Sequence, residues 1–137
     1  MEKLDIKQVI VVPNHLRSKL RSGKLASQCC HASMASFLYG KEITQDPNSP
    51  FYTLKLEMDS YRHWWITNAF AKVVLKCEDE EELLSIYGKC LRNPSIPHTL
   101  VKDEGRTVFS EPTITCLGIG PLPDSMLAPL TGHLKLY

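Results

Sequence analysis

VKDEGRTVFSEPTITCLGIGP, residues 101–121, reads as two buried strands joined by a loop dense in polar side chains. An apolar approach through Thr99, Leu100 and Val101 ends at Asp103, and an extended run resumes at Thr113, Ile114, Thr115, Cys116 and Leu117. Gly105 can take the positive φ that turns the backbone sharply and presents Asp103, Arg106 and Thr107 at a strand end. An acid, a cation and a hydroxyl then share one corner. The same spacing also suits a solvated turn in which Asp103 caps backbone amides. The residues alone leave both readings open.

Outward from that corner, helix and strand patterns alternate. Ile6–Val12 (IKQVIVV) is a β-branched run closed by Pro13, which suits a central strand buried on both faces. Ala71–Cys77 (AKVVLKC) reads as a second strand. Glu78–Leu91 reads as a helix, with acids in its first turn and apolar Leu83, Leu84, Ile86, Tyr87 and Leu91 near helical spacing. Asn93, Pro94 and Pro97 stop it and lead into the strand that ends at Asp103. Past Pro121 and Pro123, Asp124–Leu130 allows a short helix and Thr131–Tyr137 a closing extended segment. This alternation is that of an α/β sheet. Between Gly40 and Phe70 only Asp46–Pro50 (DPNSP) is legible, as a turn, because no period persists around it.

After the first strand, LRSKLRSGK (residues 16–24) gathers Arg17, Lys19, Arg21 and Lys24 without an acid. Solubility alone would also explain such a loop. Ser22 is the expected N-cap of a helix over Lys24–Leu38. At about 100° per residue, Ala26, Cys29, Cys30, Ser33 and Phe37 gather on one side, small enough for close approach to a sheet. Lys24, Gln28 and His31 stack on another face, with Lys24 at the end where free amides and the helix dipole attract anions. That stripe could grip a phosphate or an ester; alternatively, Gln28 and His31 satisfy each other or the backbone.

Composition bounds the possibilities. A chain of 137 residues with formal net charge +1 fits one ordinary globular domain, so any nucleic-acid site must be local. No N-terminal stretch has signal-peptide order and no apolar run is long enough to span a bilayer, so the expected location is the cytoplasm, with no membrane partner. Five cysteines, odd in number and without a CxxC pair, suggest reduced core thiols and no structural metal. The absence of GxGxxG and GxxxxGK[ST] disfavours an ATP or NAD enzyme. Cys29 or Cys30 beside His31 suggests a thiol nucleophile, but neighbouring helical residues point about 100° apart and do not form an acid–base pair.

Taken in order, KQVIVV (7–12), GKLASQCCHA (23–32), KVVLK (72–76), DEGRT (103–107), TCLGIGP (115–121) and TGHLKLY (131–137) resemble the peptidyl-tRNA hydrolases of the archaeal and eukaryotic type. The likeness covers about residues 6–38 and 65–137. It implies a three-layer α/β/α sandwich with a small mixed sheet of four or five strands. It implies one domain over 1–137 with a family-variable insertion at about 41–63, often as a homodimer. It also implies hydrolysis, without metal or other cofactor, of the ester joining a peptide or N-acyl-aminoacyl group to tRNA, making peptidyl-tRNA the expected partner.

Position by position, the family's GK lysine falls on Lys24, its helix glutamine on Gln28 and its helix histidine on His31. Its D-x-G-R-T loop falls on Asp103, Gly105, Arg106 and Thr107, and the second threonine of its next strand on Thr115. The resemblance therefore implies Lys24, Asp103, Thr107, Thr115, Gln28 and His31 as catalytic residues, and Arg17, Lys19, Arg21, Lys24 and Arg106 as tRNA-binding ones. On this reading Asp103, kept ionised by Lys24, orients or deprotonates water, while Thr107 and Thr115 position Asp103 or donate to the carbonyl oxygen. The two stretches form one site only if the first strand carries the helix entrance next to the Asp103 loop.

Departures from the family pattern are His15-Leu16 in place of Asp-Leu, a basic loop about two residues longer, and Glu104, Val108 and Pro112 in place of alanine, glutamine and glycine. Glu104 could oppose RNA phosphate, or raise the Asp103 pKa if it points inward. A non-catalytic tRNA-binding or protein-interaction module on the same fold is the alternative function.

Overall fold

In the computed structural model, which describes residues 5–106 and 109–137, the expected central strand is β1, Ile6–Pro13. The chain then makes one 3-10 turn (Asn14–Leu16) and enters helix α1, Ser22–Phe37. A hairpin of β2 (Glu42–Gln45) and β3 (Tyr52–Lys55) and the helix α2 (Ser60–Thr67) follow. Strand β4 (Lys72–Cys77), helix α3 (Glu80–Leu91) and strand β5 (His98–Asp103) come next. Strand β6 (Thr113–Pro123), helix α4 (Asp124–Thr131) and strand β7 (Lys135–Leu136) complete the order.

β1 lies between β6, antiparallel, and β4, parallel, in a mixed five-stranded sheet of order β5-β6-β1-β4-β7. Alternation along β1 gives the sheet a core on each face. Val9 and Val11 pack with Leu117, Ile119, Leu83, Ile86, Leu127 and Leu130, beneath α3 and α4. Ile10 and Val12 pack with Val101, Cys116, Ala32, Leu16 and Leu20, beneath α1. The three layers follow from that division. Among the described residues no helix is long and apolar enough to cross a membrane.

A parallel β1–β4 pair needs a long crossover, and this one holds the stretch whose sequence shows only a turn. Asp46–Pro50 does join β2 to β3, whose residues are all exposed. α2 is anchored by Trp65, only 1% exposed, whose indole N–H donates to the Ala71 carbonyl at 2.8 Å. Its Arg62 donates to the Tyr39 and Glu57 carbonyls.

Several details differ from expectation. The N-cap of α1 is Arg21, extended at φ −88° and ψ 166°, and Ser22 is already helical; the Arg21 side chain makes no capping hydrogen bond. The buried face of α1 is Gln28, Ala32 and Ser36, with Leu25, Cys29 and Ser33 half-buried, while Ala26 and Cys30 are exposed. Polar side chains can face the sheet because it supplies partners: Ser36 donates to the Gly120 carbonyl at 2.7 Å, and Ser33 bonds Gln8. Close approach of helix to sheet does occur, but at Gly118, where a Cβ would meet the Ala32 carbonyl oxygen at 2.6 Å. The closing extended segment is limited to Lys135–Leu136, because α4 continues to Thr131.

Candidate active site

Two strand ends meet at the corner. β1 leads through the 3-10 turn into the basic loop, which Leu16 and Leu20 pin by burial, and α1 opens with no acid in its first turn. β5 ends at Asp103, 9% exposed. The Lys24 ammonium donates to Asp103 Oδ1 at 2.5 Å, joining groups 79 residues apart. The Gly105 amide donates to Asp103 Oδ2 at 2.9 Å, so both carboxylate oxygens are held. The Lys24 hydrogen bond, then that of Gly105, then the Lys24 charge keep the Asp103 carboxyl below its ordinary value of 3.8, against burial pushing the other way.

Gly105 makes this loop possible. Its φ is +82°, and a Cβ there would stand 2.5 Å from the Glu111 carbonyl carbon. The solvated-turn alternative is thus half right: Asp103 does accept a turn amide, but it is buried and ion-paired as well. Glu104 points outward, pairing with exposed Arg106 at 3.1 Å, so it does not raise the Asp103 pKa. Thr107 and Val108 lie outside the described residues.

Along α1, Gln28 is buried and accepts the Thr115 hydroxyl at 2.5 Å. Thr115 is 0% exposed, and its other contacts are the Val101 carbonyl and Cys116. The hydroxyl is therefore aimed at Gln28 rather than at Asp103 or a substrate carbonyl. Because Gln28 uses its carbonyl oxygen on Thr115, its NH₂ group turns the other way. His31 stands on the outer surface, exposed, about 10 Å further along the helix than Lys24. The structure thus joins Lys24 to Asp103 and Gln28 to Thr115, and leaves His31 outside those contacts.

In the basic loop, Arg17, Lys19 and Arg21 are all exposed. Arg17 lies 4.3 Å over the ring of Tyr137, and the Lys19 ammonium lies 5.7 Å from the ring of Phe109. Neither ring has a signal in the sequence that links it to these cations. All five thiols are free; Cys77, Cys90 and Cys116 are buried, and Cys29 is half-buried with its thiol pushed up to about 11 by burial. Cys30, expected in the core, is exposed. Among the described residues no group of three or more His, Cys, Asp or Glu is placed to hold a metal ion.

Fold and site together define a class: an α/β/α domain whose first helix opens, basic and uncapped, beside a lysine–carboxylate pair at the end of an edge strand. The profile described as "Peptidyl-tRNA hydrolase PTH2" matches residues 6–137, and the chain belongs to that family. It is 41% identical over 130 residues to the "Peptidyl-tRNA hydrolase" of Methanopyrus kandleri, covering 95% of this chain and 97% of the relative. It is 39% identical over 114 residues to the protein of the same name from Sulfolobus acidocaldarius, covering 83% and 87%. With "Peptidyl-tRNA hydrolase 2" of Saccharomyces cerevisiae it shares 30% identity over 133 residues, covering 97% of this chain and 59% of the yeast protein.

Proposed function

We propose that this protein hydrolyses the ester between a peptide or N-acyl-aminoacyl group and tRNA, with Lys24 and Asp103 at the centre of the reaction. The observation that carries this reading is the 2.5 Å contact between them at the uncapped start of α1, in a chain of this family. The first helical amides and the loop cations Arg17, Lys19 and Arg21 attract the phosphates of the acceptor end. Arg106 shares its charge with Glu104 and contributes less.

Asp103 orients the attacking water. A carboxylate held below its ordinary pKa is a weak base, which favours positioning over full proton abstraction. Lys24 opposes the negative charge that develops on the ester oxygen during attack, and the Gln28 NH₂, fixed by Thr115, is a second donor for that oxygen. Thr107 keeps the role that the resemblance implies, positioning Asp103 or donating to the carbonyl oxygen. His31, exposed further along α1, is assigned to the rim of the site. The proton that the water gives up ends on the ribose oxygen as the acyl C–O bond breaks, so the products are a carboxylic acid and the ribose hydroxyl; an alkoxide departs more readily than an amide nitrogen anion, so an ester needs less assistance than an amide would. We assign this work to the cytoplasm, where translation supplies peptidyl-tRNA. The homodimer implied by the resemblance is tested by sedimentation equilibrium, and the variable insertion at about 41–63 by deleting the exposed hairpin within it, residues 42–55, and measuring turnover.

Incubation with N-acetyl-aminoacyl-tRNA is the decisive assay. Release of the acyl amino acid by the wild-type protein, abolished in Lys24→Ala and Asp103→Ala, is the expected result. Salt-sensitive tRNA binding without any release would instead establish a non-catalytic module.

A further inference from the structure

Arg17 leaves the 3-10 turn exposed, yet it is held on two sides. Its Nε donates to Asn14 Oδ1 at 3.0 Å, and its guanidinium carbon lies 4.3 Å above the Tyr137 ring. Tyr137 reaches this place because its amide donates to the Val74 carbonyl at 3.0 Å, continuing the β7 pairing along β4. The ring packs against the core cluster of Ile10, Val12 and Leu16 on the α1 face of the sheet. The phenol oxygen is buried and meets no partner among the described residues. Since a buried hydroxyl without a partner contributes nothing favourable, the ring is the part of Tyr137 that is in use.

We propose that Tyr137 is a positioning residue for RNA: with Asn14 it fixes the Arg17 guanidinium as a preformed clamp for a tRNA phosphate. This rests on the reading of Arg17 as a phosphate ligand. An exposed arginine loses rotamer freedom when it grips an anion, and a side chain already stacked and hydrogen-bonded has lost part of that freedom beforehand. Stacking occupies the flat face of the guanidinium and Asn14 occupies Nε, which leaves the terminal NH₂ pair, the fork that grips phosphate. The arrangement is specific to arginine and an aromatic ring.

The test measures the affinity of deacylated tRNA by fluorescence anisotropy across a salt series, beside turnover of N-acetyl-aminoacyl-tRNA. Tyr137→Phe binds as the wild type does. Tyr137→Leu weakens binding about two- to fivefold and lowers the slope of log Kd against log salt toward that of Arg17→Ala, which loses about one phosphate contact. Its kcat stays within about twofold, on the premise that binding alone is touched. Adding Tyr137→Leu to Arg17→Ala causes little further loss. If Tyr137→Leu fails to fold, Asn14→Ala takes its place, with the same direction expected. Wild-type affinity and slope in the folded variant, or losses that multiply with those of Arg17→Ala, overturn the proposal. An Arg17→Ala protein that binds tRNA normally overturns the phosphate role itself and the proposal with it. Absence of turnover in the wild type would reject the hydrolase reading separately.

Discussion

α1 and α3 begin in opposite ways. α3 starts behind Asp79, whose carboxylate accepts the Glu82 amide, and carries Glu80, Glu81 and Glu82 in its first turn. Its positive end is satisfied from within the chain. α1 starts behind Arg21 with no side-chain cap and no acid in its first turn, and Lys24 adds a further cation. A helix that only needed stability would be built like α3. The start of α1 forgoes a cap worth about 1 kcal/mol, while Asp103 binds Lys24 from the side. On the proposed function, its amides and charge serve the acceptor-end phosphates.

The largest effect should come from the pair that α3 lacks. Asp103→Asn or Lys24→Ala is expected to lower kcat/KM for N-acetyl-aminoacyl-tRNA by roughly 100-fold or more. Acidification removes the same pair gradually. Because the folded-state pKa of Asp103 lies below 3.8, the stability from the Lys24 contact is complete above the ordinary carboxylate range and is lost as pH falls through that lower value. The difference in Tm between the wild type and Asp103→Asn should therefore persist down to the ordinary value and close only at lower pH.

Giving α1 the start of α3 sets stability against binding. Arg21→Asp should add a cap and raise Tm by about 3 °C, while lowering kcat/KM roughly tenfold by placing a carboxylate where phosphate is expected. A variant with both improved would show that the open helix end has no part in binding. The reverse change, Asp79→Ala, should cost about 1 kcal/mol in urea unfolding and leave kcat/KM unchanged. Smallest of all, Cys29→Ala with Cys30→Ala should leave turnover within about twofold, since a thiol raised to about 11 is protonated near neutrality.

The elements most legible in the sequence are those that bury apolar side chains: β1 on both faces, α3 on one, and β4 and the β5–β6 pair in part. The hairpin was illegible for the converse reason. Periodicity reports burial, and β2 and β3 bury nothing: Ile43 and Leu54 face each other across the pair, both about half exposed. α1 misled in another way. Cysteine and alanine suggested the inner face, yet Gln28 and Ser36 are inside because Thr115 and the Gly120 carbonyl receive them. Similarly, the stripe of Lys24, Gln28 and His31 is real as helical spacing, but burial divides it, with Gln28 inside and His31 out. Thr115 has a partner different from the one its position suggested, for its hydroxyl supports Gln28 rather than Asp103.

The alternating strands and helices, the turn at Gly105, the basic entrance to α1 and the residue types that chemistry requires are all readable from the order of amino acids. Which of them touch depends on how the sheet is assembled. Lys24 meets Asp103 because β1 and β5 both flank β6, antiparallel to each, so the exit of β1 and the end of β5 come out on the same side of the sheet. Tyr137 lies under Arg17 because β7 pairs with β4 at the far edge. Local pattern records how each segment divides itself between core and water; meetings between distant side chains depend on strand order and register, which no single segment contains.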